Sequence, residues 1–179
     1  MWRGRKLQFP DVEGLRPTSD RVRETVFNWL APIIPNAHCL DLFAGSGAMG
    51  LEALSRGAAS AILVEKNTVA ATALQQHCKL LNTVNATIVH GDALNWLTTQ
   101  TNNTPFDVVF LDPPFDSDLL QSAIEILEQK SLLTEQCHIY IETPIETQAK
   151  ATALKIPPNW RLLKQKMTRQ VCYRLFCRI

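Results

Sequence analysis

At 179 residues and 46% hydrophobic content, the chain suits one domain with a substantial core, and a second full domain is not expected. It shows no repeat, no low-complexity tract, no apolar run near the roughly 18 residues of a membrane span, and no secretory signal after the basic start Trp2-Arg3-Gly4-Arg5-Lys6, so a soluble, cytoplasmic protein is expected. The net charge of +1 hides a segregation: the first 25 residues hold six Lys/Arg against four acids and the last 30 hold eight against none, which leaves the middle near −9.

In chain order, Thr18-Ser19-Asp20 offers helix caps before Arg21–Leu30, where Val22, Val26, Phe27, Trp29 and Leu30 make an apolar face and Pro32 stops the run. Residues 1–30 thus read as a basic segment and first helix preceding a domain over 31–179, the whole forming one compact unit. Strand Cys39–Phe43 then enters Gly45-Ser46-Gly47-Ala48-Met49-Gly50 and a helix from Gly47 to about Arg56. A glycine loop opening a helix lets a ligand approach the backbone closely. The spacing Gly45-x-Gly47-x-x-Gly50, with Glu65 about 20 residues on, also fits a dinucleotide fingerprint, so a nicotinamide cofactor stays open here. Against it stands Asp41, whose carboxylate would repel a pyrophosphate and attract the ammonium of an amino-acid moiety such as that of S-adenosylmethionine.

The elements continue as strand Ala61–Val64, helix Thr68–Leu81, strand Ala86–Val89 and a short helix near Ala93–Leu97. Strand Asp107–Leu111 follows and ends in Asp112-Pro113-Pro114-Phe115. Neither proline has an N–H, so the turn offers carbonyl oxygens and a carboxylate without competing donors, and Phe115 adds a stacking face. That chemistry suits a flat ring carrying an amine; the plainer alternative is a strand ending in a proline turn. Helix Leu119–Lys130, strand His138–Glu142 and a weak helix Thr143–Ala153 opened by Pro144 complete the alternation, which implies a parallel sheet with helices on both faces. The ending differs. Trp160–Met167 and Gln170–Arg178 are separated only by a few residues around Thr168-Arg169 and should form an antiparallel hairpin.

Cys39, Cys78, Cys137, Cys172 and Cys177 form no Cys-x-x-Cys pair, and His38, His77, His90 and His138 lie apart, so reduced structural thiols and no metal site are expected. The basic ends suit phosphate, with the alternative that the C-terminal Lys and Arg only solvate an edge hairpin.

The set Arg16-Pro17-Thr18-Ser19-Asp20-Arg21-Val22-Arg23-Glu24, Phe27-Asn28-Trp29-Leu30, the glycine loop and Asp112-Pro113-Pro114-Phe115 resembles, over nearly the whole chain, the bacterial small-subunit ribosomal RNA guanine-N2 methyltransferases of the RsmD type. The resemblance implies a class I methyltransferase (Rossmann-like) fold: a mostly parallel seven-stranded sheet closed by an antiparallel hairpin. It implies S-adenosylmethionine as methyl donor and the exocyclic amine of guanine 966 in 16S ribosomal RNA as acceptor, within an assembled or assembling 30S particle, with no membrane and no metal. It assigns Asp41 and the Gly45 and Gly47 backbone to the methionine end, Glu65 to the ribose hydroxyls and Asp92 to the adenine amine, with Phe43, Ala44, Ser46, Lys66 and Ala93 also lining the cofactor. Asp112, Pro113, Pro114 and Phe115 become the catalytic set. Arg3, Arg5, Lys6, Arg16, Arg21, Arg23 and Arg169 become the RNA contacts. Members of that family usually carry further residues before Trp2, which leaves open a truncated RNA-binding arm. Three rivals stay open: a DNA adenine-N6 or cytosine-N4 methyltransferase, which the lack of a target-recognition domain disfavours; a non-catalytic RNA-binding module, which the intact Asp-Pro-Pro-Phe turn disfavours; and a nicotinamide oxidoreductase.

Overall fold

The computed structural model describes residues 20–101, 104–114, 118–145 and 154–179. Its elements are α1 (Asp20–Leu30), β1 (His38–Asp41), α2 (Ala48–Ser55), β2 (Ser60–Glu65), α3 (Thr68–Leu80), β3 (Ala86–His90), α4 (Ala93–Thr99), β4 (Phe106–Leu111), α5 (Leu119–Gln129), β5 (Leu133–Pro144), β6 (Trp160–Met167) and β7 (Val171–Arg178). The seven strands form one sheet in the order β3-β2-β1-β4-β5-β7-β6. Neighbours from β3 to β5 pair in parallel, and β7 lies antiparallel between β5 and β6. β6 therefore runs in the same direction as β4, and the turn after it reaches the edge of the sheet where the parallel strands end.

Side-chain alternation along the central strands divides the core into two layers. Cys39, Val108, Phe110 and Tyr140 face α1, α2 and α3, meeting Val26, Phe27 and Leu30 of the first helix. Leu40, Val109, Leu111, Ile139 and Ile141 face α4 and α5, meeting Leu97, Ala123, Ile124 and Leu127. Phe27 and Leu30 are fully buried, each worth roughly 1.5–3 kcal/mol, so α1 is tied to the sheet rather than appended to it. Local caps set the helix starts. Asn67 accepts from Val69 N at 2.9 Å and Ala70 N at 3.1 Å to open α3, and Asp92 accepts from Asn95 N at 3.1 Å to open α4.

One expectation fails. Thr143 and Pro144 do not open a helix; they extend β5, paired with Cys172 and Val171 of β7. Pro144 is tolerated there because it ends the strand, where its missing N–H costs one terminal rung, and the ladder continues through Ile145 N to Gln170 O at 3.0 Å. The remainder of the expected helix, 146–153, lies outside the described residues. β5 also begins five residues before the expected His138, and β1 ends at Asp41 rather than Phe43.

The C-terminal hairpin is anchored to α5 by Glu128, which accepts from Trp160 Nε1 at 2.6 Å, Arg178 Nε at 3.0 Å and Asn159 Nδ2 at 3.3 Å. Beyond Trp160, β6 is exposed throughout. Among the described residues no helix is long and apolar enough to cross a membrane.

Candidate active site

Five consecutive parallel strands each bring one acid to their C-terminal ends: in spatial order, Asp92 after β3, Glu65 on β2, Asp41 on β1, Asp112 after β4 and Glu142 near the end of β5. Open α/β sheets bind ligands at this edge, because strand ends and helix starts leave polar backbone groups there. Four of these acids were expected from the sequence. Glu142 was not, although it ends the expected strand His138–Glu142 much as Glu65 ends β2.

Asp41 is 4% exposed, and its Oδ2 accepts the Gly50 N–H at 2.9 Å. The bond ties the end of β1 to the first turn of α2. Burial pushes the Asp41 carboxyl up to about 7; the Gly50 hydrogen bond opposes this shift and the nearby charge of Glu65 adds to it. A cation brought beside this carboxyl would favour its ionised form. Glu65, also buried, takes one backbone N–H on each oxygen: Oε2 that of Gly45 at 2.7 Å and Oε1 that of Asn67 at 2.6 Å. Asp92 uses Oδ1 to cap α4 and Oδ2 to meet Lys66 Nζ at 3.3 Å. The Asn95 N–H, with further help from Lys66, holds the Asp92 carboxyl below its usual range against the opposing effect of burial. Lys66 is 80% exposed, so that ion pair adds at most about 1 kcal/mol.

The glycine loop is shaped mainly by packing. Gly45 and Gly47 have φ of 52° and 75°, the left-handed region that favours glycine. A Cβ on Gly47 would lie 2.4 Å from Leu74 Cδ2, and one on Gly50 would lie 2.7 Å from Leu63 Cγ. Their missing side chains, expected to admit a ligand, thus let α2 sit close on β2 and α3. Phe43 is half-buried and Ala44 buried; Gly45 and Ser46 keep partial exposure on the open side of the loop. Ala93 is buried in the first turn of α4.

Asp41 pairs with Phe110, so Asp112 lies two residues beyond that rung on the adjacent strand. Asp112 is half-buried, Pro113 buried and Pro114 exposed. Arg169 is exposed in the β6–β7 turn at this same edge; Arg21 is exposed on α1, and Arg23 Nη2 meets Asp20 Oδ1 at 2.9 Å within that helix. Arg3, Arg5, Lys6, Arg16 and Phe115 lie outside the described residues.

Elsewhere, His38 Nδ1 meets Ser60 Oγ at 2.8 Å and Asp107 Oδ2 accepts from the His38 backbone N–H at 2.8 Å. This is not a catalytic relay, because Asp107 holds backbone rather than the ring, at the opposite edge of the sheet. All five cysteines are buried thiols, and no group of three metal-ligating side chains occurs among the described residues.

The residues present are chemically compatible with S-adenosylmethionine: a buried carboxyl at Asp41 that could face an ammonium, strand-end acids at Glu65 and Asp92 that could accept from hydroxyls and an amine, and a glycine loop with left-handed φ. Residues 1–177 match the family model described as Conserved hypothetical protein 95. The chain is 48% identical over 177 residues to ribosomal RNA small subunit methyltransferase D of Escherichia coli K12, covering 99% of this chain and 86% of that protein. It is 44% identical over 178 residues to the Haemophilus influenzae protein of the same name, covering 98% and 90%. The solved structure of the E. coli protein yhhF superposes with a TM-score of 0.87 at 47% identity, covering 99% of this chain and 93% of that one.

Proposed function

Because the chain belongs to the family of the ribosomal RNA small subunit methyltransferases D, we propose that its Asp112 turn presents a guanine of small-subunit ribosomal RNA for methylation on the exocyclic N2 amine. The protein is an S-adenosylmethionine-dependent RNA methyltransferase. The observation that carries the site assignment is adjacency: the Asp112-Pro113-Pro114 turn, whose two prolines lack N–H donors, ends β4 beside the glycine loop and the buried Asp41 at the end of β1.

Asp41 with the Gly45 and Gly47 backbone would hold the methionine end of the cofactor, Glu65 the ribose, and Asp92 with Lys66 and Ala93 the adenine side. When bound, the cofactor supplies an electrophilic methyl on a sulfonium. Everything else falls to the chain. A guanine N2 is a poor nucleophile because its lone pair is delocalised into the ring. Asp112 and the proline-turn carbonyls accept its hydrogens and turn the lone pair out of conjugation. As positive charge grows on that nitrogen, a fixed carboxylate and carbonyl dipoles favour the charged state more than the neutral one. Phe115 would stack on the base, which must leave any helix to reach this turn.

The basic segment 1–30 and the turn bearing Arg169 would hold the RNA phosphates, with the domain over 31–179 carrying the chemistry. The position corresponding to guanine 966, the 30S particle as substrate and a cytoplasmic location follow from the same reading. The test is tritium transfer from labelled S-adenosylmethionine to small-subunit particles from a strain lacking the enzyme, followed by nucleoside analysis. N2-methylguanosine at one position is expected; label in another nucleoside, or none, overturns the reading.

A further inference from the structure

Glu142 is 7% exposed, and the chemistry above does not use it. A carboxylate at this depth is costly unless hydrogen-bonded. Tyr140, fully buried two residues earlier, donates its hydroxyl to Glu142 Oε2 at 2.7 Å. In the parallel ladder Phe110 pairs with Tyr140 and Leu111 with Ile141, so the next positions, Asp112 and Glu142, leave adjacent strands side by side, with backbones about 4.8 Å apart. Burial first, then the charge and hydrogen bond of Glu142 and the charge of Asp112, push the Tyr140 hydroxyl far above its usual pKa, so it stays a donor to Glu142. On the other side Glu142 pairs with Tyr173, whose ring stacks on Trp29 of α1 at 5.5 Å and 26°. Tyr140 thus fixes the carboxylate's orientation, and aromatic rings adjoin it.

Guanine presents neighbouring donors, N1–H and the N2 amine, whereas adenine and cytosine carry a ring acceptor beside their amine. Two neighbouring donors call for two neighbouring acceptor groups. Resting on the reading that the Asp112 turn holds the N2 amine, we propose that Glu142, oriented by Tyr140, accepts the guanine N1–H and selects guanine over bases with an unprotonated ring nitrogen there. A carboxylate offers about four acceptor positions, so the Tyr140 hydroxyl does not saturate Glu142. An unprotonated ring nitrogen facing Glu142 would meet its lone pairs with no hydrogen between, so discrimination arises from repulsion as well as attraction.

The test uses reconstituted small-subunit particles carrying guanine or 2-aminopurine at the acceptor position. 2-Aminopurine keeps the C2 amine but has a bare N1. Wild-type protein should strongly prefer guanine. Glu142→Gln can donate to a bare N1, so its preference should fall by roughly 10- to 100-fold, with cofactor affinity and melting midpoint near wild type. Tyr140→Phe should move the same ratio in the same direction by less. A folded Glu142→Gln with the wild-type ratio, whatever its absolute rate, makes Glu142 a packing residue and overturns the proposal. If Glu142→Gln does not fold, Tyr140→Phe decides alone, and an unchanged ratio overturns the proposal. Wild-type protein that methylates neither base overturns the Asp112 reading and this inference with it.

Discussion

Glu65 Oε2 accepts the Gly45 N–H at 2.7 Å, so the acid that ends β2 also fixes the glycine loop that follows β1. Its other oxygen holds Asn67 N, the cap of α3. Glu65→Ala should therefore act twice, lowering the melting midpoint and weakening S-adenosylmethionine binding by roughly 1–3 kcal/mol. Calorimetry and a thermal scan separate the two effects. A lowered midpoint with unchanged cofactor affinity would reduce Glu65 to a loop support.

Gly50→Ala should destabilise the protein by about 1–3 kcal/mol, since a Cβ there meets Leu63 Cγ at 2.7 Å in a fully buried setting. Gly47→Ala should cost at least as much, because it adds a left-handed φ of 75° to its clash with Leu74. Combining Gly50→Ala with Leu63→Ala should cost less than the two singly, which urea unfolding of the four proteins can measure. Strict additivity would show that Leu63 does not limit the site.

Asp41 titrates near 7 in the fold against roughly 3.9 in an unfolded chain. Between these values the folded state holds the extra proton. Its contribution to stability is therefore complete below about pH 4, declines as pH rises toward 7, and is flat above. A bound cation favours the ionised form, so cofactor binding at pH 6.5 should release protons, detectable by calorimetry in buffers of different ionisation enthalpy. Asp41→Asn should abolish the release while its amide oxygen still accepts from Gly50 N. Equal heats in all buffers would mean that no cation approaches Asp41.

The exposed edge strand β6 carries Arg161, Lys164 and Lys166 and leads to Arg169 at the substrate edge. Charge reversal at Lys164, Lys166 and Arg169 should weaken binding to small-subunit particles and flatten its salt dependence by roughly 0.7–0.9 log units for each phosphate no longer neutralised, with cofactor affinity unchanged. If affinity and slope stay at wild type while the variant self-associates, these charges serve to keep a sheet edge from pairing.

The alternating fold was legible because each central strand is a short apolar run bounded by turn or cap residues, and the closing hairpin because Trp160–Met167 and Val171–Arg178 leave no room for a crossover helix. The extension of β5 through Thr143 and Pro144 was not, since only the distant partner β7 makes those residues a strand. The strand-end acids were readable one by one. Their backbone partners were not: nothing local indicates that Glu65 reaches Gly45, that Asp41 reaches Gly50, or that Gly47 and Gly50 are glycines because of Leu74 and Leu63.

Single-turnover transfer by Asp112→Ala, with cofactor affinity measured in parallel, tests most directly whether the Asp112 turn activates the base amine. Cofactor affinity should stay near wild type while the transfer rate falls by roughly 10²–10³, the scale of removing one preorganised acceptor from beside a developing charge. Transfer at the wild-type rate would contradict the assignment of the amine to this turn.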